Sequence, residues 1–238
     1  MALRDSLRPL LGAVLGLGLA GALLLPRLPA LAEEAPRRLP ESAIQATEAP
    51  GSHVAVFAGG CFWGVQGLFQ HVRGVTRAVS GYAGGIRADA DYRTVSGGGT
   101  GHAEAVAVTY DPAVIRYDEL LRIFFSVALD PTQVDRQGPD SGRQYRSAVF
   151  PQDAGQARIA KAYIAQLDAA KSYARPVATR IEPGAAFYPA EGYHQDFMAL
   201  HPGHPYIAAN DAPKLEALRV LFPERTATEP VLVNRPPA

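Results

Sequence analysis

The sequence predicts an α+β fold in two layers, with helices covering a mixed sheet. Two observations carry this. Short apolar runs that read as strands alternate with stretches of helical period, in the order strand, helix, strand, loop, strand, helix, strand, helix, strand. Two long connections rich in glycine, proline and polar residues interrupt the alternation. Such segments are too irregular for regular elements, and loops on a rigid scaffold are where sites are built.

The elements follow in chain order. Residues 54–58 are an apolar run and read as a strand, and the amphipathic stretch 62–71 reads as a helix. A strand covers 75–82. The loop 83–101 holds Gly84-Gly85 and Gly97-Gly98-Gly99. A strong strand spans 102–110 and ends at Asp111-Pro112; a helix follows over 117–129. The second loop, 130–144, carries Pro131, Gly138, Pro139 and Gly142. A strand over 145–150 leads into the longest helix, 152–171, where Ile159, Tyr163 and Leu167 recur at helical spacing. A short strand near 178–181, an irregular aromatic stretch over 187–193, a helix from about 193 and a last amphipathic helix over 212–221 complete the chain. No internal repeat is present. This order fits the ferredoxin-like arrangement, a mixed sheet with covering helices and long loops.

The domain is expected to occupy residues 53–238. Ahead of it, Arg4 and Arg8 precede an apolar run over 10–25, and Ala30-Leu31-Ala32 offers a small-residue cleavage site, which together predict a secretory signal peptide over 1–32. The alternative is a membrane anchor formed by residues 10–25, a run short of the roughly 20 apolar residues a span needs. Residues 33–52, rich in Pro, Ala, Glu and Arg without an apolar period, read as a flexible linker. An exported, periplasmic location is the expectation.

The 238 residues carry 47% hydrophobic and 19% charged side chains with no net charge, the composition of an ordinary globular core. No basic run or charged tail points to nucleic acid. No phosphate-loop lysine or dinucleotide fingerprint is present, and no bound cofactor is expected.

Cys61 is the only cysteine, within Gly59-Gly60-Cys61-Phe62-Trp63-Gly64. It cannot form an intrachain disulfide, and in an exported protein an unpaired cysteine suggests a reactive thiol. At a strand-to-helix turn its sulfur meets the positive end of a helix dipole, which predicts a lowered pKa and a nucleophilic thiolate. A buried structural cysteine is the alternative. Gly64 lets another segment or a substrate approach closely.

In Gly101-His102-Ala103-Glu104-Ala105-Val106-Ala107-Val108, period-two alternation puts Glu104 on one face with Val106 and Val108. A carboxyl on that core side has a raised pKa and can serve as a proton donor; an edge Glu reaching water is the alternative. Tyr92 in the first loop, and Asp140 and Tyr145 at the second, could donate to or orient an oxygen gaining charge. Phe62 and Trp63 could line an apolar pocket beside Cys61, or simply pack. His194, His201 and His204 do not match zinc spacings, and Pro202 and Pro205 break any helix that would align them, so no metal is expected.

Taken together, Gly60-Cys61-Phe62-Trp63-Gly64, Gly101-His102-Ala103-Glu104, Gln144-Tyr145-Arg146-Ser147 and Phe187-Tyr188-Pro189-Ala190-Glu191-Gly192-Tyr193-His194-Gln195 resemble the A-type peptide-methionine sulfoxide reductases. The resemblance spans about residues 53 to 200. It implies that Cys61 attacks the sulfur of the S epimer of methionine sulfoxide, free or protein-bound, and is left as a sulfenic acid. It also implies that Phe62 and Trp63 hold the methyl group, that Glu104 with Tyr92 and Tyr145 binds and protonates the oxygen, that Asp140 sits near the site, and that Glu191 and His194 support it. Many relatives carry further cysteines that form an internal disulfide; this chain has none, so an external thiol, expected from a thioredoxin-like protein, must restore the enzyme. A monomer is expected, with oxidised proteins as substrates. The competing readings are a thiol peroxidase, which has no use for Glu104, and a non-catalytic secreted module with a free cysteine.

Overall fold

The computed structural model describes residues 33–234. The expected signal peptide, residues 1–32, lies outside the described residues. β1 (His53–Gly59) leads through a tight turn into α1 (Phe62–Gln70), and β2 (Val75–Ala83) follows. The glycine-rich connection contains a short helix, α2 (Tyr92–Ser96), before β3 (Ala103–Tyr110). α3 (Tyr117–Ile123) continues into a wider π turn over Phe124–Ala128. The second loop folds into a small hairpin, β4 (Arg136–Gln137) with β5 (Asp140–Ser141). Then come β6 (Ser147–Phe150), α4 (Ala154–Ala169), β7 (Arg180–Ile181), β8 (Phe187–Pro189), α5 (Phe197–Leu200), a π turn over Ile207–Asp211 and α6 (Ala212–Leu221).

The sheet has six strands in the order β7-β6-β1-β3-β2-β8. β6, β1, β3 and β2 pair antiparallel, which gives the split ferredoxin-like centre that the sequence pattern predicts. β8 extends one edge antiparallel, and β7 extends the other parallel to β6. β1 ends at Gly59 opposite Ser147, so the turn that carries Cys61 lies in the middle of the sheet's end. In β3, Val106 and Val108 enter the main core while Ala103 and Ala105 join a smaller cluster with Val56, Ala58, Ala148 and Phe150 on the other face.

α1 is covered on nearly every side. Phe62, Val65, Leu68 and Phe69 are each about fully buried, and a helix buried all round is a central one. The amide groups of its two buried glutamines donate hydrogen bonds. Gln66 donates to the Ala78 carbonyl at 3.0 Å and to Gln195 Oε1 at 2.7 Å, and Gln70 donates to Asp196 Oδ1 at 2.6 Å. Asp196 also accepts from the Val233 and Asn234 amides at 2.9 and 3.0 Å, which fastens the C-terminal stretch to α1.

The stretch 33–52 is not the flexible linker that its composition predicts. Leu39 is 2% exposed in the main core, and its amide bonds Ser126 Oγ at 3.2 Å. The Glu34 amide bonds Asp130 Oδ2 at 3.1 Å, the Ala43 amide bonds Gln166 Oε1 at 2.8 Å, and the Ala46 amide bonds Asp118 Oδ1 at 2.8 Å. Glu48 accepts from the Tyr110 hydroxyl and from the Tyr117 amide. Side chains of the domain thus supply the backbone partners that secondary structure would otherwise provide. Three smaller differences remain: Tyr145 closes a 3-10 turn rather than opening a strand, the helix expected from 193 is reduced to α5, and Tyr92 opens a helix rather than lying in a loop.

Candidate active site

Gly60, at φ +88°, turns the chain from β1 into α1 and leaves Cys61 as the residue that precedes the first helical turn. Only glycine adopts that φ without strain. Cys61 is partly exposed, and the Trp63 amide donates to its sulfur. That donor and the Lys214 ammonium favour the thiolate, as the helix-start argument predicts, but they are outweighed. Burial, then the carboxyls of Glu104 and Asp211, push the thiol well above its ordinary value. The expected lowering is therefore corrected: the resting thiol is protonated.

Glu104 lies on β3 opposite Tyr82 and is 3% exposed. Its Oε2 accepts the Phe62 amide at 3.0 Å, so the first turn of α1 holds both the thiol and the carboxyl. Burial raises the Glu104 pKa to about 8, the Asp140 charge adds to the rise, and the Phe62 bond opposes it. At neutral pH the carboxyl keeps its proton, and the repulsion it would exert on a Cys61 thiolate is then absent.

Tyr92 and Tyr145 complete this side. Burial raises both phenols, and the charges of Glu104 and Cys61 raise them further; both hydroxyls remain donors. Tyr92 is set by Glu191, whose carboxylate accepts the Tyr92 amide at 2.9 Å and the Tyr82 hydroxyl at 2.8 Å. Burial works against ionisation of Glu191, but these bonds and that of its own amide win and hold its pKa below the ordinary value.

His194 sets the aromatic side. Its Nδ1 accepts the Trp63 indole N–H at 3.0 Å, and burial lowers its pKa, so the ring is neutral with its proton on Nε2. Trp63 stacks on Phe197 at 3.8 Å between ring centroids and meets Tyr206 edge-on at 6.0 Å. Phe62 is 1% exposed, 5.0 Å from the His194 ring and 5.9 Å from Tyr82. It forms the floor under this side, while the half-buried Trp63 offers surface.

Asp140 lies on β5 and accepts a hydrogen bond from the Tyr206 hydroxyl. Tyr206 was not singled out from sequence, nor were Asp211 and Lys214. Asp211 is 0% exposed, and Lys214 Nζ lies 3.3 Å from its Oδ1. A Cβ on Gly64 would collide with the Asp211 carboxylate. The close approach that Gly64 predicts is therefore made by the π turn before α6. No local signal marks these three, because an Asp and a Lys at the start of a helix read as capping residues.

A cavity of about 290 Å³ opens beside Cys61. Among the described residues, no group of three or more His, Cys, Asp or Glu is arranged to hold a metal ion, and no helix is long and apolar enough to cross a membrane.

Comparison with known proteins agrees with the motifs. The family model described as peptide methionine sulfoxide reductase matches residues 53–226. A peptide methionine sulfoxide reductase MsrA 2 of Mesorhizobium japonicum is 59% identical over 185 residues, 78% of this chain and 95% of that protein. One of the same name from Synechocystis is 52% identical over 179 residues, 75% of this chain and 84% of that protein. Among solved structures, reduced Mxr1 of Saccharomyces cerevisiae superposes with a TM-score of 0.60 at 32% identity, covering 68% of this chain and 92% of its own. Methionine sulfoxide reductase A of Corynebacterium diphtheriae gives 0.54 at 32% identity, covering 70% and 92%.

Proposed function

The chain belongs to the peptide methionine sulfoxide reductase family and reduces methionine sulfoxide; from that premise we propose that it acts on the S epimer, free or protein-bound, with Cys61 as nucleophile and Glu104 as proton donor. The observation that carries this reading is a carboxyl with a pKa of about 8, tied by one backbone bond to the residue after the only cysteine.

A sulfoxide oxygen leaves sulfur only when its growing charge is met by a proton. Glu104 supplies that proton, and the hydroxyls of Tyr92 and Tyr145 bind the same oxygen. The Cys61 thiol, protonated at rest, gives its proton to solvent as its sulfur attacks the sulfoxide sulfur, and the S–S bond so formed breaks as the protonated oxygen passes from the methionine sulfur to Cys61. The sulfoxide gains two electrons and leaves as methionine; Cys61 loses two and keeps the oxygen as a sulfenic acid. Glu104, now a carboxylate, recovers its proton from solvent. Trp63, held by His194 and backed by Phe197, with Tyr206 at its edge, takes the S-methyl group. Asp140 orients Tyr206, and Glu191 orients Tyr92.

With no second cysteine in the chain, an external thiol, a thioredoxin-like dithiol by our reading, restores Cys61. The leader pattern of residues 1–32 supports export to the periplasm, where that reductant would have to be found. A peroxidase would need the thiol but not the buried acid.

The test is turnover of stereodefined methionine sulfoxide peptides with dithiothreitol. The S epimer is reduced and the R epimer is not, and Cys61→Ser abolishes the activity. Reduction of hydrogen peroxide in preference to the sulfoxide would refute the reading.

A further inference from the structure

The acid, both phenols and Trp63 that serve the sulfoxide stand apart from the cavity beside Cys61: none of Phe62, Trp63, Tyr92, Glu104 or Tyr145 lines it. Its wall is instead built from Cys61 with Glu34, Leu129, Pro139, Asn210 and Lys214. Asp140 and Tyr206, joined by their hydrogen bond, also border it. Cys61 therefore borders a cavity that the acid and the two phenols do not line, with Asp140 and Tyr206 at the boundary between the two.

Displacement at sulfur needs the incoming nucleophile in line with, and opposite to, the bond that breaks. The oxygen that Cys61 acquires is the one bound by Glu104 and the phenols. A thiol that removes it must then reach the sulfur from the side away from Glu104. We propose that the cavity is the entry subsite for the reducing thiol, distinct from the sulfoxide side, with Lys214 holding positive charge for the incoming thiolate. The proposal rests on the reading that Cys61 becomes a sulfenic acid.

Lys214 is placed for this. It projects from the first turn of α6, its side chain is 19% exposed, and Asp211, fully buried, fixes it at 3.3 Å. Asp211 reaches that position because Gly64 has no side chain, which makes Asp211 a positioning residue acting through Lys214. The cavity is at the small end of ligand pockets. It admits a small thiol or one cysteine side chain projecting from a protein loop.

The chemistry balances as follows. A thiolate attacks the Cys61 sulfur, an S–S bond forms, the S–O bond breaks, and the oxygen leaves as water with protons from the sulfenic group and from the reprotonated Glu104. A second thiolate then attacks the external sulfur of the mixed disulfide, releasing the Cys61 thiolate beside Lys214 and an oxidised disulfide.

The test separates the two half-reactions. Full-chain protein, reduced and freed of thiols, is mixed with N-acetylmethionine S-sulfoxide, and the methionine released per protein is measured. Capture of the sulfenic acid is then followed in separate arms with cysteamine, with 3-mercaptopropionate and with a reduced thioredoxin. Ala209→Trp fills the cavity from an exposed position. It is expected to leave methionine release unchanged and to slow capture about tenfold or more. Slowing confined to the small thiols assigns the cavity to free thiols; slowing that includes thioredoxin extends it to a protein thiol. Capture at the wild-type rate in every arm overturns the proposal, as does an equal slowing of methionine release. No methionine release by the wild-type protein would instead refute the proposed function itself. Lys214→Met gives a second reading that does not depend on filling the cavity. The rate of 3-mercaptopropionate relative to cysteamine should fall by about threefold or more, and an unchanged ratio overturns the role given to Lys214.

Discussion

Glu104 has one hydrogen bond, from the Phe62 amide, and 3% exposure, so its ionisation is costly in the folded protein. An unburied carboxyl of this kind titrates near 4.5, whereas Glu104 in the fold titrates at about 8. Below the lower value both states hold the proton and pH has no leverage. Between the two, the unfolded chain releases its proton and the folded one does not, so stability falls as pH rises, levelling off above about 8. Glu104→Gln removes that penalty and can keep the Phe62 bond. It should stabilise the protein by about 3 kcal/mol at pH 7 and by almost nothing near pH 4, read from urea unfolding at both. Equal stability of the two proteins at pH 7 would show that the carboxyl is not held neutral by burial. The strand alternation made Glu104 legible in the sequence, and isolation made Cys61 legible. The direction of the thiol's shift was not legible. It depends on burial and on Asp211, which lies far along the chain and arrives through the packing of the π turn against α1.

α1 carries the site because its first turn is shared: the Cys61 sulfur, the Phe62 amide on Glu104 and the Trp63 indole on His194 are three consecutive residues. Gly64, in the same turn, is where the Asp211 segment closes on the helix. Gly64→Ala has no room for its methyl group, so the π turn must move. The expected cost is about 1–3 kcal/mol by overpacking, together with altered alkylation kinetics of Cys61, because Asp211 and Lys214 both act on the thiol. A variant with wild-type stability and thiol reactivity would remove the π turn from the site. Long periodic elements such as α4 and β3 were readable from spacing. α2 was not, since five residues among glycines carry no period. It is held by its own Asp91 cap and by Glu191, 99 residues away in sequence.

At the scale of the whole molecule, the segment from residue 33 onward is part of the fold. Its composition hid this because it forms no helix or strand. It is fixed instead through side chains of α3, α4 and the π turn between them, which no local pattern announces. Leu39→Ala should therefore cost about 2–4 kcal/mol, the range for deleting a buried leucine side chain. An unchanged melting temperature would return the segment to the status of a linker. The central strand order was legible because alternating elements with short connections leave few topologies open. The edge strands β7 and β8 were not fully legible, being two and three residues long.

The central claim is that Glu104 keeps its proton at neutral pH and gives it to the sulfoxide oxygen as Cys61 attacks. The direct test is the single-turnover rate of methionine release, wild type against Glu104→Gln, across the pH range. The Glu104 carboxylate also raises the Cys61 thiol, so each rate is divided by the thiolate fraction read from Cys61 alkylation in the same protein at the same pH, and the corrected ratio isolates the acid. The ratio should be about a hundredfold to a thousandfold at neutral pH and should fall as pH passes about 8, where the wild-type carboxyl loses its proton. A ratio that stays flat through that range would contradict the account.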